Sequence, residues 1–159
     1  MVFSLPQLLE EDIAAFDAAL DDFIARSRSK AALVIDQGGF VVAQKGDLDG
    51  LDTATLGALA ANSFAATRAL AGLINETSVS SVYQEGEEHS ALILSLEPHG
   101  YFVVIFRAEL GVGSVKYYTD SALQQVRAQF SRAQERAPES GFDLAELNLA
   151  DTAPIFKRR

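Results

Sequence analysis

The sequence predicts an α+β domain in which five antiparallel strands are covered by three helices. Two observations lead to this fold class. Apolar residues recur at helical spacings of three and four in three segments, and five short apolar segments are bounded by turn residues. The 159 residues suit a single domain, which we place at residues 1–136, with residues 137–159 as a C-terminal tail.

The first and last helices are identified by their apolar stripes. The first is predicted to begin near Ser4 and Pro6, because a hydroxyl caps free amides and proline is tolerated in the first turn. Its stripe consists of Leu9, Ile13, Phe16, Leu20, Phe23 and Ile24. The last helix is predicted to begin at Ser114 or Thr119 and to end at Arg136, before a proline.

Five strands are predicted from apolar segments between turns. They are Ala32–Ile35, Phe40–Ala43, Val79–Gln84, Ala91–Leu96 and Tyr101–Phe106. The first two form a hairpin, because the residues between them are rich in glycine, which accepts a positive φ at little cost. The last two strands are apolar almost throughout, which is typical of strands covered on both faces.

The central helix, at about Thr53 to Asn75, is unusual because Arg68 is its only charged residue. Residues placed at 100° steps form two apolar sides. One side is expected to face the sheet and carries Leu56, Leu59, Leu70, Leu73 and Ile74. The opposite side carries Ala58, Ala61, Ala65, Ala69 and Gly72, where a solvent-facing helix normally carries Lys and Glu.

We interpret the small-residue side as an intermolecular interface, because small side chains allow another helix to approach closely. A self-complementary surface of this kind fits a twofold dimer. The high helix propensity of alanine is the alternative explanation, and it accounts for helicity but not for the missing charge. The candidate dimer or partner interface is Ala58, Ala61, Asn62, Ala65, Arg68, Ala69 and Gly72.

Composition narrows the class of function. The net charge of −9 disfavours nucleic acid and anionic lipid as partners. The chain has no cysteine, no signal-peptide pattern and no apolar stretch long enough to span a membrane, so we expect a cytoplasmic protein. The basic cluster Lys157–Arg159 is interpreted as a solvated part of the tail.

No catalytic constellation emerges from the sequence. His89 and His99 lie at predicted turns, where exposed polar histidines are common, and they form a poor metal site. Gly111 and Gly113 precede a helix, but a lone Gly-x-Gly is weak evidence for nucleotide contact. We therefore expect no catalytic residue, no metal site and no cofactor.

Several segments resemble the roadblock (dynein light-chain-like) superfamily, and among its members the bacterial MglB-type proteins. The likeness covers roughly residues 30–136. Its most specific part is LDTATLGALAANSFAATRALAGLI at residues 51–74, which combines an Asp-Thr cap with the small-residue side. The other segments are LVIDQGGFVVA at 33–43, YQEG at 83–86, FVVIF at 102–106 and GSVK at 113–116.

The resemblance implies a roadblock fold, with the central helix on one face of the sheet and the N- and C-terminal helices on the other. It also implies a homodimer with paired central helices and a sheet that continues across two protomers. The implied partner is a Ras-like small GTPase of the MglA type. MglB-type proteins stimulate GTP hydrolysis by this partner in the control of cell polarity or motility, without donating an arginine.

Three alternatives stay open at this point. The protein could be a roadblock scaffold or a small-molecule sensor without GTPase-activating activity, and a sensor would use Tyr101, Tyr117 or Tyr118 as polar contacts. Arg68 is the one residue worth testing as a donor to a bound GTPase, although an arginine at the rim of an interface is the simpler interpretation. The apolar residues of the tail could dock on the partner or pack on the chain's own dimer; they include Phe142, Leu144, Leu147 and Phe156.

Overall fold

The computed structural model describes residues 5–136, which form three helices, five strands and one short 3-10 turn. The helices are α1 (Glu10–Ser27), α2 (Thr53–Leu73) and α3 (Val112–Arg136). The strands are β1 (Ala31–Asp36), β2 (Val41–Gly46), β3 (Ser81–Gln84), β4 (His89–Ser95) and β5 (Gly100–Arg107). The 3-10 turn, Ala108–Leu110, joins β5 to α3.

The strands form one antiparallel sheet with the order β2-β1-β5-β4-β3. The central strands β1 and β5 are buried along almost their whole length, as their continuous apolar sequences predict. The short strands β2 and β3 form the two edges of the sheet. The predicted α+β class with five antiparallel strands is confirmed.

Helices α1 and α3 pack together on one face of this sheet. The rings of Phe16 in α1 and Phe130 in α3 lie 4.7 Å apart between centroids. Phe23 of α1 contacts Phe102 of β5 edge to face, with centroids 5.2 Å apart. These rings belong to the larger of two apolar cores, so α1 and α3 are held by the same cluster.

Of the three described helices, only α2 packs on the opposite face of the sheet. Its buried Phe64 lies against Tyr101 of β5, with ring centroids 4.8 Å apart. Successive residues of β1 point to different faces, so Leu33 joins this smaller core whereas Val34 joins the larger one. The predicted placement of the central helix on one face and the other two helices on the other is confirmed.

A buried polar network ties the start of α1 to the end of α3. The carboxylate of Asp12 is fully buried and accepts hydrogen bonds from Arg136 at 2.6 Å, from the amide of Gln129 at 2.6 Å and from the backbone N–H of Leu9 at 2.7 Å. Hydrogen bonding from Arg136 is the main reason why the pKa of Asp12 falls to about 2.

Two predicted helix starts are wrong. Helix α1 begins at Glu10 rather than near Ser4 and Pro6, because the Asp12 carboxylate caps the backbone N–H of Leu9; Ser4 lies outside the described residues. Helix α3 begins at Val112, earlier than expected, directly after Gly111. The domain boundary at residue 136 stays a prediction.

Candidate partner interface on the central helix

The start of α2 is fixed by a side-chain cap. The Asp52 carboxylate accepts hydrogen bonds from the backbone N–H of Thr55, at 3.1 Å, and from its hydroxyl. The hydroxyl contact is the largest cause of the lowered pKa of Asp52. This cap fixes the end of α2 that lies nearest the β1–β2 turn, and so helps to set how the helix sits on the sheet.

Small residues bring α2 close to the β1–β2 turn. Gly39 has a φ of +88°, and a β-carbon at this position would come within 2.7 Å of the Cα of Ala58. A β-carbon on Gly57 would in turn overlap the carbonyl oxygen of Gly39. The two glycines therefore allow backbone-to-backbone contact, which a larger side chain at either position would prevent.

The side of α2 that meets the sheet is not the side predicted from the sequence. Gly57, Ala60, Ala61, Phe64 and Ala71 are the buried residues of the helix. Of the residues expected beneath the helix, Leu56 is half-buried and packs on the smaller core. The others point outward instead: Leu59 is 61% exposed, Leu70 62% and Leu73 83%, and Ile74 after the helix is also exposed. The buried side consists of glycine and alanine residues around the ring of Phe64. Their small side chains allow the helix to lie close to the sheet.

We define the outer face of α2 as Thr55, Leu59, Asn62, Ala66, Leu70 and Leu73, all of which are exposed. They recur at intervals of three and four residues and form one stripe on the helix. The stripe carries no charged side chain. An uncharged stripe with three exposed leucines is typical of a surface that a partner helix or protein covers.

The residues predicted as the interface fall into three groups. Ala58, Asn62, Ala65, Ala69 and Gly72 are exposed on the outer face or beside it. Ala61 is buried at 6% exposure and packs toward the sheet, so it does not belong to an accessible surface. Arg68 lies near the sheet side, where it pairs with Glu97 and its guanidinium stands 5.1 Å from the centre of the Phe64 ring.

Among residues 5–136, no further strand pairs with the sheet edge that accompanies this face. Helix α2 contacts β3, the short strand at one edge of the sheet. The backbone N–H of Ser95 donates a hydrogen bond to the carbonyl oxygen of Ser80, at 2.9 Å. In an antiparallel pair, alternate residues bond to the neighbouring strand, so the backbone N–H and C=O groups of Ser81 and Tyr83 point away from β4. Unpaired groups along such an edge form a template for another strand.

Within the described residues, the histidines and tyrosines considered from the sequence do not come together as a metal or ligand site. His99 is half-buried and stacks on Phe130 with ring centroids 4.6 Å apart, and burial lowers its pKa; it is not the exposed turn residue that we expected. Within residues 5–136, no three His, Cys, Asp or Glu side chains are grouped so as to hold a metal ion. Tyr101 belongs to the core beneath α2 whereas Tyr118 packs on the opposite core, so these tyrosines do not converge.

The predictions made for the C-terminal tail concern residues that the structure does not describe. The candidate tail residues Phe142, Leu144, Leu147 and Phe156 lie outside residues 5–136. For the described part of the chain, none of the helices has the length and apolarity needed to cross a bilayer.

The fold is a small α+β domain that exposes an uncharged stripe, the outer face of α2, on its central helix. The chain belongs to the roadblock/LC7 domain family, whose model matches residues 18–106. The match omits α3, so membership rests on the sheet, on α2 and on part of α1. No curated protein sequence matches the chain significantly.

Solved structures of MglB proteins are similar to the chain over most of its length. An MglB described as having a tetrameric arrangement is 26% identical, with a TM-score of 0.76, and the match covers 83% of this chain and 99% of that one. The gliding protein MglB of Thermus thermophilus is 25% identical, with a TM-score of 0.74, over 82% of this chain and 99% of that one. The chain is therefore an MglB-like roadblock protein.

A third MglB supports the fold alone. The protein from Myxococcus xanthus is 24% identical, with a TM-score of 0.73, and the match covers 80% of this chain and 96% of that one.

Proposed function

We propose that the protein is a cytoplasmic homodimer that binds a Ras-like small GTPase of the MglA type and stimulates its GTP hydrolysis, in the control of cell polarity or motility. The observation that carries this proposal is the outer face of α2, where Leu59, Leu70 and Leu73 are exposed on a helix without an outward charge. Leaving such a row in water is unfavourable, and covering each leucine stabilises an assembly by about 1.5–3 kcal/mol at most.

A twofold axis can cover two features at once. The outer face of α2 offers an apolar stripe to a second α2, and the open edge of β3 offers backbone groups to a second β3. Because α2 contacts β3 within the protomer, a single axis can pair both elements and extend the sheet into the partner. In an antiparallel pairing centred between Asn62 and Ala66, Leu59 would meet Leu70 of the partner subunit, and the small side chain of Ala66 would allow close approach.

The GTPase is the second proposed partner, and the similarity to MglB proteins at 26% and 25% identity supports it. A dimer of paired helices presents a broad platform on which a GTPase can be held. The pairing of Arg68 with Glu97 favours a regulator that acts by binding, because this guanidinium is already engaged within the protomer. Stimulation would then come from the way in which the bound GTPase is held rather than from a donated arginine.

Light scattering after gel filtration, with the protein alone and with a GTP-loaded MglA-type GTPase, tests binding. We expect a dimer that gains the GTPase. Ala65→Arg, which places a charge beside the outer face, should abolish dimerisation or GTPase binding while circular dichroism stays unchanged. Ala128→Arg, the same substitution at an exposed position on α3, is the matched control and should behave as wild type. A variant Ala65→Arg that still forms both assemblies would rule out this surface.

Phosphate release by the GTPase tests stimulation separately from binding. We expect hydrolysis to accelerate when the wild-type protein is added and to return to the intrinsic rate with Ala65→Arg. A stable complex with unchanged hydrolysis would instead favour the second candidate function, a roadblock scaffold without GTPase-activating activity. The engaged state of Arg68 is the observation that keeps this candidate open, since no other charged side chain lies on α2.

A further inference from the structure

A second apolar surface lies at the other edge of the sheet, away from β3. It is a groove of about 590 Å³ between α1, the edge strand β2 and the first turn of α2. Its apolar lining includes Ile13, Val42, Ala54 and Ala58. Phe40, at the rim of the groove, has 76% of its surface exposed. An open apolar groove with an exposed aromatic rim is typical of a surface that receives apolar side chains.

The groove has an acidic border. Asp17 lines it, and Asp17 and Asp21 share a single cation, Lys45, at 3.7 Å and 3.8 Å. Two carboxylates against one ammonium leave a net negative charge at this edge. The whole of α1 adds to the field, because its sequence EEDIAAFDAALDDFIARS carries six acidic residues and one basic residue. A ligand with apolar side chains next to positive charge would complement this surface.

The chain itself supplies such a segment within reach. Helix α3 ends at Arg136, which contacts Asp12, and the residue after Asp12, Ile13, lines the groove. The groove therefore begins about one helix diameter, ~10 Å, from the end of α3. Residues 137–154 can span at most about 60 Å, so residues that follow them reach every part of the groove.

Charge decides which part of the tail fits. Phe142, Leu144 and Leu147 are interspersed with Asp143 and Glu146, which the acidic border repels. The pair Ile155–Phe156 is instead followed directly by Lys157, Arg158 and Arg159. Only this segment of the tail places bulky apolar side chains beside positive charge.

We propose that residues 155–159 dock in cis in this groove, with Ile155 and Phe156 against its apolar lining and the three basic residues along the acidic side of α1. Weak contacts are sufficient for docking, since attachment to the same chain gives the segment an effective concentration in the millimolar range. The docked segment would cover Ala54 and Ala58 at the start of α2 and leave Leu70 and Leu73 free. The basic cluster is then a docking element rather than a solvated end.

Disulfide trapping in the full chain tests this placement, because the natural sequence has no cysteine. The pair Ala54→Cys with Phe156→Cys should form an intramolecular disulfide under mild oxidation, since the bond requires Cα atoms within about 7 Å. The matched control is Ala54→Cys with Leu147→Cys. We expect the disulfide of the first pair to form at least about tenfold faster than that of the control, because docking raises the local concentration of the introduced tail thiol at the groove. Replacing Lys157, Arg158 and Arg159 by Gln should slow closure of the first pair several-fold.

Three results would overturn the proposal. Equal closure rates for the two cysteine pairs would mean that the tail samples the groove without preference. Closure unaffected by the Gln replacements would remove the role of charge. A disulfide that joins two chains, seen at twice the mass on a non-reducing gel, would assign the segment to a second copy. The assay needs no GTPase, so its outcome is independent of the proposed function.

Discussion

The ring of Phe64 packs against the ring of Tyr101 at a tilt of 39°, with 4.8 Å between centroids, and this contact fixes which side of α2 meets the sheet. Phe64 is the only aromatic residue of α2 and is fully buried. Turning the helix to bury Leu70 and Leu73 would expose this ring. The helix therefore buries one large ring among small residues and leaves Leu59, Leu70 and Leu73 exposed.

Truncation of Phe64 should destabilise the protomer strongly. For Phe64→Ala we expect the free energy of unfolding to fall by about 3–5 kcal/mol, because a buried ring is replaced by a cavity. Chemical denaturation followed by circular dichroism measures this change. Tyr117→Ala, at a ring that is 77% exposed, is the control and should change stability by less than about 0.5 kcal/mol. Similar losses for the two variants would contradict the assigned orientation of α2.

Replacing each of the two glycines of α2 by alanine should change the stability of the protomer in opposite directions. Gly57→Ala should destabilise by more than about 1 kcal/mol, because the new β-carbon would overlap the carbonyl oxygen of Gly39. A β-carbon on Gly72 would meet no atom of residues 5–136 within 4 Å, so Gly72→Ala should stabilise the protomer by about 0.4–1 kcal/mol, by reducing the conformational freedom of the unfolded chain. Thermal unfolding at low protein concentration measures the change in stability of each variant. A stable Gly57→Ala protein would refute the close contact of α2 with the β1–β2 turn.

Low pH should reduce the stability of the fold because the Asp12 carboxylate becomes protonated. Its folded pKa of about 2 lies below the ordinary value of 3.8, so its contribution to stability is fully present above about pH 4 and is lost as the pH falls toward 2. Denaturation curves between pH 5 and pH 2 should show a steeper loss for wild type than for Asp12→Asn, which cannot titrate here. Asp120→Asn, at an exposed site on α3, controls for the loss of one negative charge. Equal slopes for wild type and Asp12→Asn would exclude the buried network as the source.

Removal of Arg68 should leave GTPase stimulation intact. Because its guanidinium pairs with Glu97 and stands over Phe64, Arg68→Ala should cost some protomer stability but no stimulated hydrolysis. Phosphate release at saturating regulator measures this, with Glu97→Ala as the matched variant that breaks the same pair. A loss of stimulation with Arg68→Ala but not with Glu97→Ala would restore a catalytic role for the arginine.

Most of the fold follows from local patterns in the sequence. The hairpin at Asp36–Gly39 and the continuous apolar segments of β1 and β5 locate the strands within a few residues. Their order in the sheet, with β5 between β1 and β4, depends on contacts between distant segments that no local pattern encodes.

The orientation of α2 could not be predicted by counting large apolar residues, because both of its sides are apolar. The sequence signal was the lone aromatic residue of the helix, Phe64, among glycine and alanine residues, since close packing against a sheet favours small residues around one ring. The network of Asp12 with Gln129 and Arg136 was also missed. It joins residues more than 100 positions apart, which spacing cannot reveal.

The most direct test of the outer face of α2 as an interface is sedimentation equilibrium of the purified protein at micromolar concentration. Wild type should be a dimer, and Leu70→Asp should be a folded monomer, because the charge would be buried without a partner at the paired helices. Tyr117→Asp, at an exposed position on α3, should remain a dimer. A monomeric wild-type protein, or a Leu70→Asp variant that still dimerises, would contradict the account.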